Sequence, residues 1–317
     1  MTVLILAPEL DITADRMVKL LEQRAVPVVR FDTAWFPQRS RFEAYFDGGQ
    51  WVGTLASSTH SVVLEGLRSI WYRNPSAFDP PAGLSPAERH WAMTEAKLGL
   101  GGVLAALPVR WVNHPARTAD ASYKPVQLAT AVRCGLTVPD TLISNHVASV
   151  RRFAESATVT KTLGAPTIRE EGAYKTAFTH VMTEADRVDL HGVEVTAHQF
   201  QRWVPKEYEA RVLVVGDSVF GCAIHAHTAE TYVDWRNDYA ALSYSPVAVP
   251  PEVAAGALEY CVTLQLCYAA FDFVVTPDGQ WVFLECNPGG QFGWIEDETG
   301  LPITETLGDV LASGGTP

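Results

Sequence analysis

The chain has 317 residues, a formal net charge of −12 and 47% hydrophobic residues. A chain of this length and composition is expected to fold into two or three packed lobes, which excludes extensive disorder. The acidic charge argues against a sequence-independent grip on nucleic acid, which requires a basic surface. No apolar run approaches the ~20 residues of a membrane span, and the five cysteines lack zinc-ligand spacing. We therefore expect a cytoplasmic protein with reduced thiols that binds neither nucleic acid nor a membrane.

The first part of the chain predicts an α/β scaffold that begins as a βαβ unit. Residues 3–7 and 26–31 have the pattern of buried strands on either side of a helix. The turn after the first strand, residues 8–11, lacks a glycine-rich phosphate fingerprint, which disfavours a dinucleotide-binding domain. A break at His114-Pro115 marks the first domain boundary.

The rest of the chain predicts two further lobes. In chain order, the other predicted elements are a hairpin at 42–55, a helix at 85–106, a helix near 118–134, a strand near 140, a helix near 147–155, a strand at 158–163 and a long helix at 252–268. Hairpins dominate from about residue 206 onward. The predicted domains are therefore residues 1–115, 116–205 and 206–317.

The clearest chemical signal is a hairpin around Asp278-Gly279, a dipeptide typical of two-residue turns. If these two residues form the loop, counting outward places Asp272 directly opposite Glu285. Asn287 lies two residues further along the strand and shares that face. Two facing carboxylates would repel each other without a cation, and Mg²⁺ prefers oxygen ligands of this kind. The pattern predicts a magnesium site; the alternative is a solvent-facing hairpin side, and a one-residue slip would break the pairing.

Two lysines are candidate phosphate ligands. Strand alternation places Lys161 on the same face as Val159 and Leu163, toward the interior, where an ammonium group needs an anion. Lys124 opens the helix that begins the second lobe, and taken alone it has the pattern of a surface lysine. Together, the two residues predict cationic contacts for the phosphates of a nucleotide.

The segment between the second and third lobes, which consists of Gln201, Arg202, Trp203 and Val204, is a candidate nucleobase site. Its extended backbone can offer hydrogen bonds to an adenine edge, while Trp203 or Val204 provides apolar cover. The next strand places Glu209 and Arg211 on one face, where an unpaired arginine would be costly. Either Glu209 neutralises Arg211 or a phosphate does, and we favour the phosphate.

Taken together, these residues resemble the ATP-grasp ligases. Five further motifs narrow the resemblance: Trp71-Tyr72-Arg73, Asn113-His114-Pro115, residues 206–212, Val233-Asp234-Trp235-Arg236 and residues 284–292. These motifs are similar to those of the graspetide macrocyclases, which include the microviridin ligases, and the resemblance covers nearly the whole chain. It implies an α/β (α+β) ATP-grasp fold with an N-terminal βαβ pre-ATP-grasp domain and two lobes that enclose ATP.

The resemblance also implies an activity. Such enzymes use ATP and two Mg²⁺ ions to pass the γ-phosphate to an Asp or Glu carboxylate of a ribosomally made precursor peptide. A Ser/Thr hydroxyl or a Lys amine of the same peptide then attacks the acyl phosphate and closes an ω-ester or ω-amide ring. The implied partner is a peptide with a leader and a core rich in Thr, Asp and Glu, and a homodimer is expected.

The same resemblance assigns roles position by position. Among the catalytic residues, Arg211 would hold the γ-phosphate or the acyl phosphate, while Arg73 and Arg236 would hold the substrate carboxylate. The ATP contacts would be Lys124, Lys161, Gln201, Arg202, Trp203, Val204, Glu209 and Arg211. The magnesium ligands would be Asp272, Glu285 and Asn287.

The sequence departs from the family pattern at two places, and each departure leads to a structural expectation. Only Gly164 and Gly172 follow Lys161, so the glycine-rich loop over the phosphates is expected to be short or ordered by substrate. Cys286 stands where an aliphatic residue is commoner, and it is expected to face away from the metal.

Two other functions remain open. One is a ligase of the same superfamily that adds glutamate to a protein or joins small amino acids. The other is a nucleotide-binding regulatory module that retains the fold without the chemistry. ADP formed only in the presence of a peptide would separate the module from both ligases.

Overall fold

The computed structural model of the chain describes residues 1–164, 167–170 and 173–315. The N-terminal elements are β1 (Thr2–Leu6), α1 (Ile12–Gln23), β2 (Val28–Phe31), β3 (Ser40–Asp47), β4 (Gln50–Ser57), β5 (Ser61–Val63), β6 (Leu67–Tyr72), α2 (Pro86–Ala96), α3 (Gly102–Ala105) and β7 (Arg110–Val112). Four of these strands form a parallel sheet in the order β2-β1-β6-β7, here called the N-terminal sheet. The strands β3, β4 and β5 form a separate antiparallel sheet.

The predicted βαβ opening is confirmed. β1 pairs with β2 in parallel, and α1 connects them. The side chain of Asp11 caps α1 by accepting the N–H of Ala14, which satisfies a backbone donor at the start of the helix. Met17 and Leu21 are fully buried on the inner side of α1.

The middle of the chain forms a second sheet. Its elements are α4 (Pro115–Ala121), α5 (Lys124–Arg133), β8 (Thr141–Ser144), α6 (Val147–Phe153), β9 (Thr158–Lys161), β10 (Thr167–Glu170), β11 (Ala173–Thr176), β12 (His180–Val181), α7 (Glu184–Val188) and β13 (His198–Arg202). The order β12-β9-β13-β8 defines the central sheet, and all its neighbours are antiparallel. Gly172, expected in the short loop over the phosphates, lies outside the described residues.

The prediction of one helix at 118–134 is wrong, because the structure has two helices there, α4 and α5. In a continuous helix the ring of Pro125 would clash with the carbonyl of Ala121, and its missing N–H would leave that carbonyl without a partner. Tyr123 adopts an extended conformation instead, and Lys124 begins α5 as predicted.

The last part of the chain forms the largest sheet. Its elements are β14 (Tyr208–Val215), β15 (Ser218–Ala226), α8 (Ala229–Val233), β16 (Leu242–Pro246), α9 (Pro251–Leu264), β17 (Tyr268–Val275), β18 (Trp281–Asn287), α10 (Gly293–Thr299) and α11 (Ile303–Ser313). The order β16-β15-β14-β17-β18 defines the C-terminal sheet, which is antiparallel throughout.

The hydrophobic cores cross the predicted domain boundaries. Ala131 of α5 packs in one core with Phe271 and Phe283 of the C-terminal sheet. Leu307 of α11 packs in another core with Ile5 of the N-terminal sheet. Helices α5 and α11 therefore each pack against a sheet that lies far from them in sequence, whereas the core around Phe200 of the central sheet lies within residues 116–205. The division at residues 115 and 205 stays a prediction.

The predicted pairing of Asp272 with Glu285 is confirmed, although the turn differs from the prediction. The N–H of Thr276 donates to the carbonyl of Gln280, so residues 277–279 form a three-residue loop. A loop one residue longer shifts the register of the next pairs by one, as in Val275 opposite Trp281. A β-bulge at Leu284 shifts it back. The loop length and the bulge offset each other, so a two-residue loop with a regular ladder gives the same pair.

All five cysteines are free thiols. Cys286 is buried in the core formed with Phe271 and Phe283, so it faces away from the neighbouring carboxylates, as expected. None of the helices in the described ranges is long and apolar enough to cross a bilayer.

Candidate active site

A cleft lies between the central and C-terminal sheets. Its apolar end is lined on one side by Val159, Trp203 and Val204 and on the other by Val274 and Leu284. Because of the β-bulge, two consecutive residues of β18, Leu284 and Glu285, both line the cleft. The strand thus contributes an apolar residue and a carboxylate next to each other.

The segment after β13 has a free backbone donor in the cleft. The N–H of Trp203 donates to the carbonyl of Ala157 at 3.0 Å, whereas no acceptor within the described residues receives the N–H of Val204. Gln201 is buried, and its side-chain amide donates to the hydroxyl of Thr141 at 3.0 Å. Such a segment can pair with the edge of a nucleobase.

Arg202 reaches the cleft, but its guanidinium is already engaged elsewhere. It lies 3.9 Å from the ring centroid of Phe153 and donates to the carbonyl of that residue and to the hydroxyl of Thr158. The contribution of Arg202 to the site is therefore through its backbone.

Asp272, Glu285 and Asn287 converge on one face of the hairpin, as predicted. The amide of Asn287 donates to Oδ2 of Asp272 at 3.1 Å, and Arg211 donates to Oδ1 of the same carboxylate at 2.6 Å. Glu285 forms an ion pair with Lys124. Within the described residues, no group of three His, Cys, Asp or Glu side chains could hold a metal, so a cation here would rest on two carboxylates and an amide.

The two carboxylates differ in charge balance. Burial opposes ionisation of Glu285, but the ammonium groups of Lys124 and Lys161 outweigh it and lower its pKa to about 2. Burial raises the pKa of Asp272, and the guanidinium of Arg211 opposes this only in part. A buried carboxylate whose charge is not fully compensated favours a nearby cation, so this donor set fits Mg²⁺.

The two predicted phosphate lysines border the same space. Lys161 ends β9, and both it and Val159 face the cleft, as strand alternation predicted. Burial lowers the pKa of Lys161, while the carboxylates of Glu285 and Glu209 oppose that shift. Lys124 lies at the first position of α5. A bound anion would offset the cost of burying these ammonium groups.

The structure corrects one alternative for the face of β14. Glu209 forms a buried ion pair with Lys206, and Arg211 pairs with Asp272. The alternative in which Glu209 neutralises Arg211 is therefore wrong, whereas the favoured phosphate contact of Arg211 stays a prediction. Lys206 had no assigned role, although its spacing of three residues from Glu209 was a usable signal. Its ammonium lies 5.7 Å from the ring centroid of Trp203.

The two candidate carboxylate-binding arginines lie in different environments. Arg236 borders the cleft and forms a bidentate pair with Asp234, at 2.8 and 2.7 Å. Arg73 is 3% exposed and lies behind the loop after β18. It donates to the side chain of Gln291 and to the carbonyl of Gly289. The structure thus brings Arg236 to the cleft, and the substrate contact of Arg73 stays a prediction.

A second cavity of about 810 Å³ adjoins the cleft. The two spaces meet at Arg236, Asp272 and Glu285, which border both. Aromatic rings in contact with each other, at centroid distances of 4.8 to 5.6 Å, form one wall of this cavity. These rings belong to Trp235, Tyr239, Tyr244 and Trp294.

Comparisons with known proteins agree with this geometry. Residues 2–119 match the family described as the MvdD pre-ATP grasp domain. A RiPP-associated ATP-grasp ligase from Chryseobacterium gregarium, solved with ADP and a leader and core peptide, is 25% identical and has a TM-score of 0.89 over 98% of this chain and 96% of that one.

Two macrocyclases from Microcystis aeruginosa are similar as well. MdnC, solved with precursor peptide MdnA, is 29% identical, with a TM-score of 0.87 over 99% of this chain and 100% of that one. MdnB is 26% identical, with a TM-score of 0.80 over 98% of both chains. No curated protein matches the sequence.

The fold and the cleft define this chain as an ATP-grasp ligase. The likeness to the three solved ligases spans nearly the full length of each chain, including the pre-ATP-grasp part. Within this class, its structural neighbours are RiPP-associated ligases and macrocyclases.

Proposed function

We propose that the chain is a Mg²⁺-dependent ligase that closes rings in a ribosomally made precursor peptide. ATP would phosphorylate Asp or Glu side chains of the peptide core, and Ser, Thr or Lys side chains of the same peptide would close ester or amide rings. The substrates named for MdnC and for the Chryseobacterium ligase, a precursor peptide and a leader and core peptide, support this choice.

One observation carries the proposal: the cleft and the second cavity meet at a cluster of opposite charges. Arg236, Asp272 and Glu285 stand at this junction, and Arg211 lines the second cavity beside them. A nucleotide in the cleft would present its terminal phosphate to a carboxylate that arrives from the aromatic-walled cavity. This arrangement suits phosphoryl transfer between two separately bound substrates.

Different residues would contact the base, the phosphates and the transferred phosphoryl group along the cleft. The N–H of Val204 would pair with the base, beside Trp203 and Leu284. Lys124 and Lys161 would hold the phosphates, and Arg211 and Arg236 would hold the transferred phosphoryl group and the reacting carboxylate. Arginine suits this last position because its planar fork matches both groups.

Asp272, Glu285 and Asn287 would hold magnesium, which supplies positive charge for the phosphate oxygens when bound. We propose that two Mg²⁺ ions bind. A carboxylate oxygen of the peptide attacks the γ-phosphorus, and ADP leaves. The hydroxyl or amine then attacks the acyl carbon, inorganic phosphate leaves, and each ring costs the peptide one molecule of water.

The test uses a synthetic precursor peptide taken from an open reading frame beside the gene, with ATP and Mg²⁺. We expect ADP formation and a product mass lower by one water per ring. Chelation of Mg²⁺ should stop both, and a peptide whose core Asp and Glu are replaced by Asn and Gln should give neither. ADP formation with free amino acids but not with the peptide would instead identify a different ATP-grasp ligase.

We also propose that the protein is a cytoplasmic homodimer. Light scattering on the purified full chain would measure its mass in solution. A mass equal to one chain at micromolar concentration would contradict the dimer. Fractionation of the native cells would test the location.

A further inference from the structure

Asp234 is a buried carboxylate that lies between the central and C-terminal sheets, and the proposed function gives it no role. It is 3% exposed and follows α8. Its Oδ1 accepts the backbone N–H and Nε–H of Arg236, at 3.1 and 2.8 Å. Its Oδ2 accepts Nη2 of Arg236 at 2.7 Å and the backbone N–H of Thr179 at 3.0 Å. Each oxygen therefore receives two hydrogen bonds.

This arrangement leaves one edge of the Arg236 guanidinium for the cleft. Nε and Nη2 are engaged by Asp234, whereas Nη1 donates to no acceptor in the described part of the chain. The guanidinium borders the cleft and the second cavity, and the charges of Glu285 and Asp272 act on it. Its free edge is thus available at the junction where the phosphoryl group would pass.

Asp234 also keeps Arg236 away from the candidate metal ligands. A guanidinium without a fixed partner would be drawn to Asp272 and Glu285, the other carboxylates whose charges act on it. A bidentate charge-assisted pair with a buried carboxylate holds it in one orientation instead. Burial opposes the charge of Asp234, yet its hydrogen bonds to Arg236 outweigh this and lower its pKa.

The fourth hydrogen bond reaches the other side of the cleft. Thr179 precedes β12, which pairs with β9 in the central sheet. Asp234 lies in the connection between β15 and β16 of the C-terminal sheet. One carboxylate therefore fixes the arginine and contacts the opposite lobe.

We propose that Asp234 is a positioning residue that sets Arg236 for phosphoryl transfer and ties it to the central lobe through the N–H of Thr179. This inference rests on the proposed function, because Arg236 needs a phosphoryl group to act upon. It predicts that Asp234 and Arg236 work as one unit.

A double-mutant cycle tests the unit. We expect Asp234→Ala and Arg236→Ala each to lower kcat for ADP formation with the precursor peptide by about 10- to 100-fold. The double variant should be no slower than the single variants, because the second change removes nothing further. Binding of a fluorescent ADP analogue should stay within about twofold of wild type. Asp234→Asn is nearly identical in shape to the wild type, and it should also lower kcat. This variant keeps the test valid if Asp234→Ala fails to fold.

Additive losses in the cycle, or wild-type kcat in Asp234→Asn, would overturn the proposal. A merely structural carboxylate would lower stability without this coupling to Arg236.

Hydrogen exchange tests the contact with the central lobe without using turnover. We expect the amide of Thr179 to exchange faster in Asp234→Ala, by about tenfold or more, because its acceptor is lost. Exchange at this amide should stay unchanged in Arg236→Ala and in Glu155→Ala, an exposed control carboxylate of the central lobe. Unchanged exchange in Asp234→Ala would overturn the link. If the wild-type protein turns over no peptide, the proposed function fails, and the exchange result still decides the role of Asp234.

Discussion

The two faces of the β17–β18 hairpin differ in composition and in neighbours. One face carries Phe271, Phe273 and Phe283, which form a buried aromatic cluster with Tyr260 of α9, with neighbouring ring centroids 5.2 to 6.4 Å apart. The other face carries the charged and amide side chains that meet the cleft. The residues that contribute most to stability thus lie on one face of the hairpin, and the candidate catalytic residues lie on the other. Substitutions on the two faces should have separable effects.

The largest effect is expected at Glu285. Glu285→Gln keeps the shape but removes an anionic oxygen from the candidate metal site, so turnover should fall by about 10³-fold or more while the fold persists. ADP formation and thermal unfolding would measure the two outcomes. Glu207→Gln, on an exposed carboxylate nearby, is the matched control. Turnover near the wild-type rate at saturating Mg²⁺ would contradict the assignment.

The opposite face should show the reverse. Phe283 is fully buried, so Phe283→Ala should cost about 3–5 kcal/mol of stability through lost burial and the cavity left behind. Chemical denaturation would measure this, and turnover per folded molecule should remain within a few-fold of wild type at low temperature. A loss of turnover as large as that of Glu285→Gln without a loss of stability would break the division between the faces.

Lys161 should control nucleotide binding more than chemistry. Lys161→Met removes a phosphate cation, and affinity for a fluorescent ADP analogue should fall about tenfold, or about 1.4 kcal/mol. Lys97→Met, on an exposed lysine, should change nothing. Unaltered affinity in Lys161→Met would remove this residue from the phosphate site.

The same lysine predicts a pH dependence. Burial lowers the pKa of Lys161, so its charge is present at low pH and is lost as pH rises through a value below the ordinary lysine pKa of 10.5. Nucleotide affinity should therefore weaken as pH increases toward that range. Lys161→Arg, which stays charged, should abolish this weakening. An identical pH profile in Lys161→Arg would show that another group titrates.

The smallest effect is expected at Leu284, where the two faces meet at the bulge. Leu284→Ala removes apolar cover from the nucleobase end of the cleft, and affinity should fall about fivefold, or about 1 kcal/mol. The value of kcat should not change, because Glu285 keeps its partner on β17. A large loss in kcat would indicate that the bulge itself collapses.

Sequence patterns predicted only part of the local structure of this molecule. Strand alternation and the Asp-Gly turn gave the right pair, Asp272 with Glu285, because the longer loop and the bulge offset each other. Pro125 could have indicated the break between α4 and α5. The bulge could not be predicted from the hairpin alone, because it places Phe283 in a core with Tyr260, which belongs to α9.

The remaining errors and omissions concern contacts between distant segments. Arg73 meets Gln291 across 218 residues, and the Asp234–Thr179 bond spans 55. Charge and motif predicted that Arg73 and Arg236 would bind carboxylates, but they could not tell which guanidinium borders the cleft. That difference depends on how the N-terminal sheet and the loop after β18 come together.

The bulge at Leu284 bears on how such a hairpin can change its turn without any insertion or deletion. A two-residue turn with a regular ladder and a three-residue turn with a bulge both place Asp272 opposite Glu285. The two arrangements contain the same number of residues, so a change of turn type without any change in length would preserve the carboxylate pair while it exchanged the faces of Phe283 and Leu284. Substitutions in an exposed turn can thus remodel the nucleobase end of the cleft without moving the carboxylates. The hairpin has a built-in route by which nucleotide selectivity can evolve independently of phosphoryl transfer.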